Sequence, residues 1–247
     1  MSSSTWTPHA VASESRVRRL SLWRAVEVQH VVATRALVDT LAEQELLESV
    51  LESSKPPIPP QCAGLDDLLH TPFRYPTVLG GSRFRSFGDP GVWYGAEAVR
   101  TSCAELGYWR WRFITDSRAL SRLDGVPHTL FQAMARGGAV DLRIEPFVRD
   151  SERWCDPDDH GACQAFARSA RSAGARIIRY ASVRDPAHGG CAAVLDCRAF
   201  RGMGGVRKRQ TWFLTVDRQR ASWVRAGAAR GEAYEFVFDR SGESAGR

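Results

Sequence analysis

Residues 83–106 read RFRSFGDPGVWYGAEAVRTSCAEL. The stretch moves from a tight turn to a short apolar strand to a helix. Gly88, Asp89, Pro90 and Gly91 make the turn, because glycine and proline punctuate backbone direction. VWY at 92–94 is aromatic and apolar and reads as a buried strand. From about Ala96 to Phe113 the pattern is helical, with Val99, Cys103, Leu106 and Phe113 on one stripe, and no side chain stands out as its N-cap. Arg83, Tyr94 and Glu105 fall at equal intervals of eleven residues. Glu105 sits beside Leu106 at the edge of the apolar stripe, with Ala98, Thr101 and Ser102 on its own face. A carboxylate at a core margin is costly unless it is paired or used. Two readings are open: an ion pair of Glu105 with Arg83 or Arg110 that supports the fold, or a site.

Outward from this stretch, the chain mixes strands and helices without a regular βαβ repeat. That argues for an α+β fold and against a doubly wound sheet. LSLWRAVEVQ (20–29) alternates as a strand. TRALVDTLAEQELLESVLESS (34–54) carries Leu37, Leu41, Leu46, Leu47, Val50 and Leu51 on a helical face, with Thr34 able to cap it and KPPIPP (55–60) ending it. LDDLLH (65–70) reads as one further helical turn, and TPFRYPT as extended. Downstream, AVDLRIEPFVR is a strand bent at Pro146, and GACQAFARSARSAGA (161–175) is a helix ended by Gly174. RIIRYASV, CAAVLDCRAF, QTWFLTVDR and YEFVFD are further strands. The organisation reads as an N-terminal strand and helical extension over 1–60 packed on a core domain over 61–247, or a single domain overall. Residues 1–17 and 241–247 read as loose.

The chain has 247 residues, 43% hydrophobic and 10% aromatic, enough for a sizeable core. No run approaches the ~20 apolar residues that cross a bilayer, and the first residues lack a signal peptide's apolar segment. A soluble, cytoplasmic protein is expected. Its six cysteines include no C-x-x-C pair and read as reduced thiols. The formal charge is +6, carried almost wholly by arginine, since Lys55 and Lys208 are the only lysines. Arginine's fork suits phosphate oxygens, although genomic composition alone produces the same bias.

Other chemistries are less well supported. Cys155, Asp158, Asp159, His160 and Cys163 offer zinc-like atoms, but their spacing fits no zinc frame and an acidic loop before a helix explains them. No metal is expected. No Walker or G-x-G-x-x-G loop is present. Arg207, Lys208 and Arg209 beside Trp212 are the best argument for a basic nucleic-acid-binding module without catalysis. Ser182 is not in a G-x-S-x-G elbow, and His128, His160 and His188 read as exposed loop residues.

The blocks GSRFRSFGDPGVWYGAEAVRTSCAEL and RYASVRDP (179–186) resemble the signature of the RES-domain family, named for arginine, glutamate and serine. The first block supplies Arg83, Tyr94 and Glu105, and the second Ser182. LWRAVE (22–27) resembles the family's opening strand, so the likeness spreads over roughly residues 20–200. Arg85 departs from the pattern, since many relatives have asparagine there; the departure implies either a differently held turn or a more basic pocket. The resemblance implies an ADP-ribosyltransferase-like mixed sheet with flanking helices. It also implies an enzyme that degrades NAD+, commonly as the toxin of a bacterial toxin–antitoxin pair. Known members transfer the ADP-ribosyl group to inorganic phosphate, releasing nicotinamide; hydrolysis or ADP-ribosyl transfer at the same site is the alternative. Arg83, Tyr94, Glu105 and Ser182 would be catalytic, with Arg83, Phe84, Tyr94 and Ser182 touching substrate. No cofactor is implied, because NAD+ and phosphate are substrates. The implied partner is an Xre-type antitoxin that blocks the site, with nucleic acid met only through it, and a homodimer is a further possibility.

Overall fold

The computed structural model describes residues 6–28, 38–75, 81–227 and 231–238. The long strands decide its architecture. Strand β1 (Arg16–Glu27) pairs antiparallel with β3 (Arg122–Asp141) over twelve consecutive positions, from Arg16 opposite Ala139 to Glu27 opposite His128. The N-terminal strand is therefore hydrogen-bonded to the later sheet along its whole length. On its other edge β3 takes β6 (Val206–Asp217) antiparallel and the tip of β4 (Ile177–Ala181) parallel. β4 pairs with β5 (Gly190–Val194), β5 with β2 (Trp93–Ala96), and β2 returns to β1 at Trp23 opposite Ala96. Five strands thus close on themselves. β7 (Arg220–Arg225) and β8 (Ala233–Val237) extend the sheet beyond β6. Both parallel and antiparallel pairs occur, so the expected α+β class with a mixed sheet and flanking helices is the fold this chain adopts.

Within the stretch 1–17 expected to be loose, residues 1–5 lie outside the described residues and helix α1 forms at Pro8–Glu14. Thr7 caps it, Val11 is buried, and Trp6 lies 4.5 Å from the Phe147 ring. Two buried apolar anchors outweigh a polar composition; burying one large side chain stabilises by ~1.5–3 kcal/mol. Helix α2 (Leu41–Ser54) starts later than Thr34. Residues 34–37 lie outside the described residues, and Thr40 caps the helix in a reciprocal box with Glu43. Its expected apolar face is largely uncovered, with Leu41, Leu46, Val50 and Leu51 exposed. Helix α3 (Asp67–Arg74) continues through Pro72, where extended chain was expected. The carbonyl of Leu68, four residues earlier, instead accepts the Trp93 indole N–H at 3.0 Å, which removes much of proline's usual cost in a helix.

Helix α4 (Val99–Asp116) has no side-chain cap, as its sequence foreshadowed. Its buried seam runs through Cys103, Ala104, Tyr108, Trp111 and Ile114 against Trp212, Leu214, Trp223 and Phe236 of the sheet. Phe113 is exposed, so the stripe expected through it is displaced around the helix. After β3, a one-turn helix α5 (Ser151–Trp154) and α6 (Gly161–Ser172) lead into β4. The strand expected at AVDLRIEPFVR is the end of β3 followed by a turn and a 3-10 helix at Phe147–Asp150. The strand expected over 191–200 stops at Val194 and becomes a 3-10 turn at Cys197–Phe200. Cys62 and Cys197 are joined by a disulfide, against the expectation of six reduced thiols. Their contact spans 135 residues and has no local spacing signature. No helix among the described residues is long and apolar enough to cross a membrane.

Candidate active site

The turn before β2 aims Arg83. Ser82 and Arg85 exchange backbone hydrogen bonds of 2.7 and 3.1 Å across Arg83 and Phe84. Phe84 is fully buried with its ring 4.9 Å from that of Tyr180, so it is a core anchor and does not line the cavity. Its neighbour Arg83 reaches the cavity. Arg83 Nη1 donates to the carbonyls of Trp154 at 2.7 Å and Asp156 at 2.9 Å. The Tyr94 hydroxyl accepts the Phe84 amide at 3.0 Å and shares a 2.7 Å hydrogen bond with Ser82 Oγ. Tyr94 thus fixes the turn with its hydroxyl and lines the cavity. Burial pushes its phenol above the ordinary value.

Arg85 does not make the pocket more basic. It donates to the carbonyls of Asp89 and Tyr75 and lies outside the cavity wall. Below it, Asp89 accepts from Ser86 N and Oγ, both at 2.9 Å, and Gly88 takes a left-handed φ of 80°. Gly91 packs so closely on α3 that a Cβ there would sit 2.2 Å from the Pro72 carbonyl oxygen.

Glu105 projects from α4 into the same cavity. Ser182 Oγ donates to Glu105 Oε1 at 2.5 Å and accepts the amides of Arg184 at 3.2 Å and Asp185 at 2.9 Å. Asp185 in turn accepts from Thr101 Oγ1 at 2.8 Å and pairs with Arg100, tying the Ser182 loop to α4. Burial raises the pKa of Glu105; the Ser182 hydrogen bond, then Arg83 and Arg184, pull it back down, and Asp185 pushes it up. Among the described residues Glu105 has no ion pair, and Arg110 is paired with Glu27. The support-only ion pair held open from the sequence is therefore not what this carboxylate makes.

Arg83, Tyr94 and Glu105 line one cavity of about 460 Å³, and Ser182 stands directly behind Glu105. Trp23, Arg24, Trp109, His160, Tyr180, Arg184 and Cys191 complete much of the wall. Sequence reading assigned no role to Arg24, Trp109 or Arg184. Arg184 was legible, because it stands two residues after Ser182 in the same block. Arg24 is a strand residue whose facing depends on register. Its Nη1 donates to the Tyr94 carbonyl at 3.2 Å, and burial lowers its pKa to about 10.

The competing chemistries fare differently. Asp156 and Asp159 accept amides of their own loop, at Asp158, Asp159 and Gly161. No group of three or more metal-type side chains is gathered among the described residues. Trp212 is fully buried and stacked on Tyr234 at 5.3 Å, so it offers no face to a nucleobase. Arg209 pairs with Asp66 and Arg207 donates to the Met203 carbonyl. His128 is buried in β3 against Trp223, not exposed in a loop. His188 meets the backbone carbonyl of Ser182 rather than its hydroxyl, and among the described residues no histidine contacts Ser182 Oγ.

No curated protein matches the chain closely enough to count as a relative. Among solved structures, a chain from the crystal structure of the M. tuberculosis MbcT–MbcA toxin–antitoxin complex is similar at 12% identity and a TM-score of 0.49. The similarity covers 84% of this chain and 91% of that one. The RES domain model matches residues 58–217, well over half of the sequence and inclusive of Arg83, Tyr94, Glu105 and Ser182; the chain belongs to the RES domain family.

Proposed function

We propose that this protein cleaves the nicotinamide–ribose bond of NAD+ and transfers the ADP-ribosyl group to inorganic phosphate. The observation that carries the reading is a single half-buried carboxylate, Glu105, held by Ser182 and facing a cavity with arginines, with no ion-pair partner among the described residues.

Breaking this bond builds positive charge on the ribose, as in glycoside hydrolysis. A glycosidase needs a second carboxyl to protonate its leaving group. Nicotinamide departs from a cationic pyridinium as a neutral molecule, so one carboxylate suffices. Glu105, ionised, accepts a hydrogen bond from a ribose hydroxyl and stabilises the oxocarbenium-like transition state. Ser182 holds Oε1 and so fixes the carboxylate's orientation. Tyr94 gives its ring to the nicotinamide, its hydroxyl being occupied by the turn. Arg83 presents a planar donor fork to phosphate oxygens.

On the family's pattern, this activity makes the protein the toxin of a bacterial toxin–antitoxin pair, acting in the cytoplasm on NAD+ and restrained by an Xre-type antitoxin that covers the cavity. The test is nicotinamide release from NAD+ by the purified protein, with and without phosphate, and mass analysis of the sugar product. ADP-ribose 1″-phosphate is expected. Free ADP-ribose at every phosphate concentration would make water the acceptor. Absence of nicotinamide release would refute the reading.

A further inference from the structure

The cavity wall holds three arginines, Arg24, Arg83 and Arg184, and one carboxylate, Glu105. None of the three arginines forms an ion pair among the described residues. Elsewhere arginines readily find carboxylates: Arg143 and Arg179 share Asp141 and Glu97. Unpaired cations in a half-closed cavity are costly unless something anionic completes them.

Arg184 is the most constrained of the three. It is 6% exposed. Its guanidinium lies over the Tyr108 ring at 3.7 Å, and Nη2 donates to the Pro157 carbonyl at 2.6 Å. Nε and Nη1 have no partner among the described residues. Arg83 is fastened to the same loop, through the carbonyls of Trp154 and Asp156. One loop between α5 and α6 therefore holds two guanidinium groups on one wall, each by backbone carbonyls that leave the positive charge unneutralised. Burial lowers the pKa of Arg184, and the positive charge of Arg83 is among the further causes. Arg24 stands apart on β1, over the Trp93 ring.

We propose that Arg184 and Arg83 together form the subsite for the acceptor phosphate, and that Arg184 determines whether phosphate or water takes the ADP-ribosyl group. The inference rests on the NAD+-cleaving reading of this cavity. In the step it serves, the C1″–N bond breaks with its electron pair going to the pyridine nitrogen. An oxygen of hydrogen phosphate forms the new bond to C1″, and the phosphate keeps its proton until release to solvent. No base is needed for a phosphate oxygen that is already anionic. Two arginine forks hold that dianion at the carbon while Glu105 faces the ribose. Arg24 then remains for the diphosphate of NAD+ itself.

The test is a two-substrate kinetic analysis of nicotinamide release for the parent, Arg184→Gln and Arg184→Lys. Arg184→Gln is expected to raise KM for phosphate about tenfold or more, the loss befitting one hydrogen bond to a charged group. KM for NAD+ should move by less than about twofold, because uniform binding of that substrate is untouched. The product should shift from ADP-ribose 1″-phosphate toward ADP-ribose. Arg184→Lys should fall between, keeping charge without the fork; it carries the same measurement if the glutamine variant does not fold. An unchanged phosphate KM in a folded variant overturns the proposal. A change confined to KM for NAD+ also overturns it and moves Arg184 to the diphosphate. A parent that releases no nicotinamide fails at the earlier reading, before Arg184 is at issue.

Discussion

Replacing Ser182 with alanine removes one oxygen that does two jobs. Its hydrogen goes to Glu105 at 2.5 Å, and its lone pairs take the amides of Arg184 and Asp185. A hydrogen bond to a charged group is worth ~1.5–3 kcal/mol. If that energy is held in the transition state, kcat/KM falls roughly ten- to a hundredfold, since each 1.36 kcal/mol is about a factor of ten. The pH profile identifies the cause. On the proposed mechanism Glu105 acts ionised, and its pKa is raised by burial, with Ser182 foremost among the groups that lower it. Without Ser182 the carboxyl holds its proton to higher pH, so the acid limb of kcat/KM moves upward. The deficit is then largest on the acid side and shrinks as pH rises. The two amides left without an acceptor also cost stability, ~1–3 kcal/mol for a buried unsatisfied donor, and Tm should drop. The assay is nicotinamide release across pH, beside thermal unfolding. A variant with lower Tm and lower rate but an acid limb at the parent's position would refute the claim that Ser182 acts through Glu105.

Three other outcomes follow from the same geometry. Glu105→Gln should abolish most turnover yet raise Tm at neutral pH: the raised pKa means stability is lost as pH climbs from the ordinary carboxylate range through the folded value, and glutamine escapes that loss. The Tm difference should narrow as pH falls below that range; a variant less stable than the parent at pH 7 would contradict it. Arg83→Lys keeps the charge but cannot donate to Trp154 and Asp156 while presenting a fork, so kcat/KM should fall by about tenfold or more; parent-like kinetics would remove the planar role. Gly91→Ala drives a Cβ toward backbone atoms of Pro72 and Phe73 and should destabilise by ~1–3 kcal/mol in urea unfolding, and an unchanged midpoint would show that the packing of the turn on α3 gives way freely.

The convergence of Arg83, Tyr94, Glu105 and Ser182 was more legible than the fold around it. Glu105 could be placed because an acidic residue at the margin of an apolar stripe asks for an explanation, and Ser182 because it sat in a second block of recognisable order. Phe84 was misjudged since adjacent residues in a turn point to opposite sides: the side chain that delivers Arg83 to the cavity does so by burying itself on Tyr180. Most of β3 escaped notice. Residues 122–138 contain Pro127, Gly125, Gly137 and Gly138, a composition that argues against a strand. What makes it one is pairing with β1 over its length on one edge and with β6 on the other, which no local pattern records. The start of α2 was missed for a different reason: the T-x-x-E box at Thr40 and Glu43 was in plain view but the apolar run upstream drew the boundary outward. Arg24 was hidden by register, since its facing depends on which strand β1 meets.

What separates this cavity from a structural ion-pair cluster is the groups placed between its charges. Left to stability alone, Arg83 or Arg184 would contact Glu105, and the pair would quench both charges. Instead Ser182 occupies Glu105 Oε1, while the carbonyls of Trp154, Asp156 and Pro157 take the arginine donors. Those acceptors and that hydroxyl are neutral, so they fix position without cancelling charge. On the proposed reaction, the carboxylate stays negative enough to meet a forming ribosyl cation, and the guanidinium groups stay positive enough to hold an anion beside it. Direct contact would quench both charges and, on the proposed reaction, make the poorer catalyst. If the proposed reaction holds, the loop at 154–157 and the hydroxyl of Ser182 belong to the chemistry as much as Glu105 does, because they keep opposite charges apart until substrate comes between them.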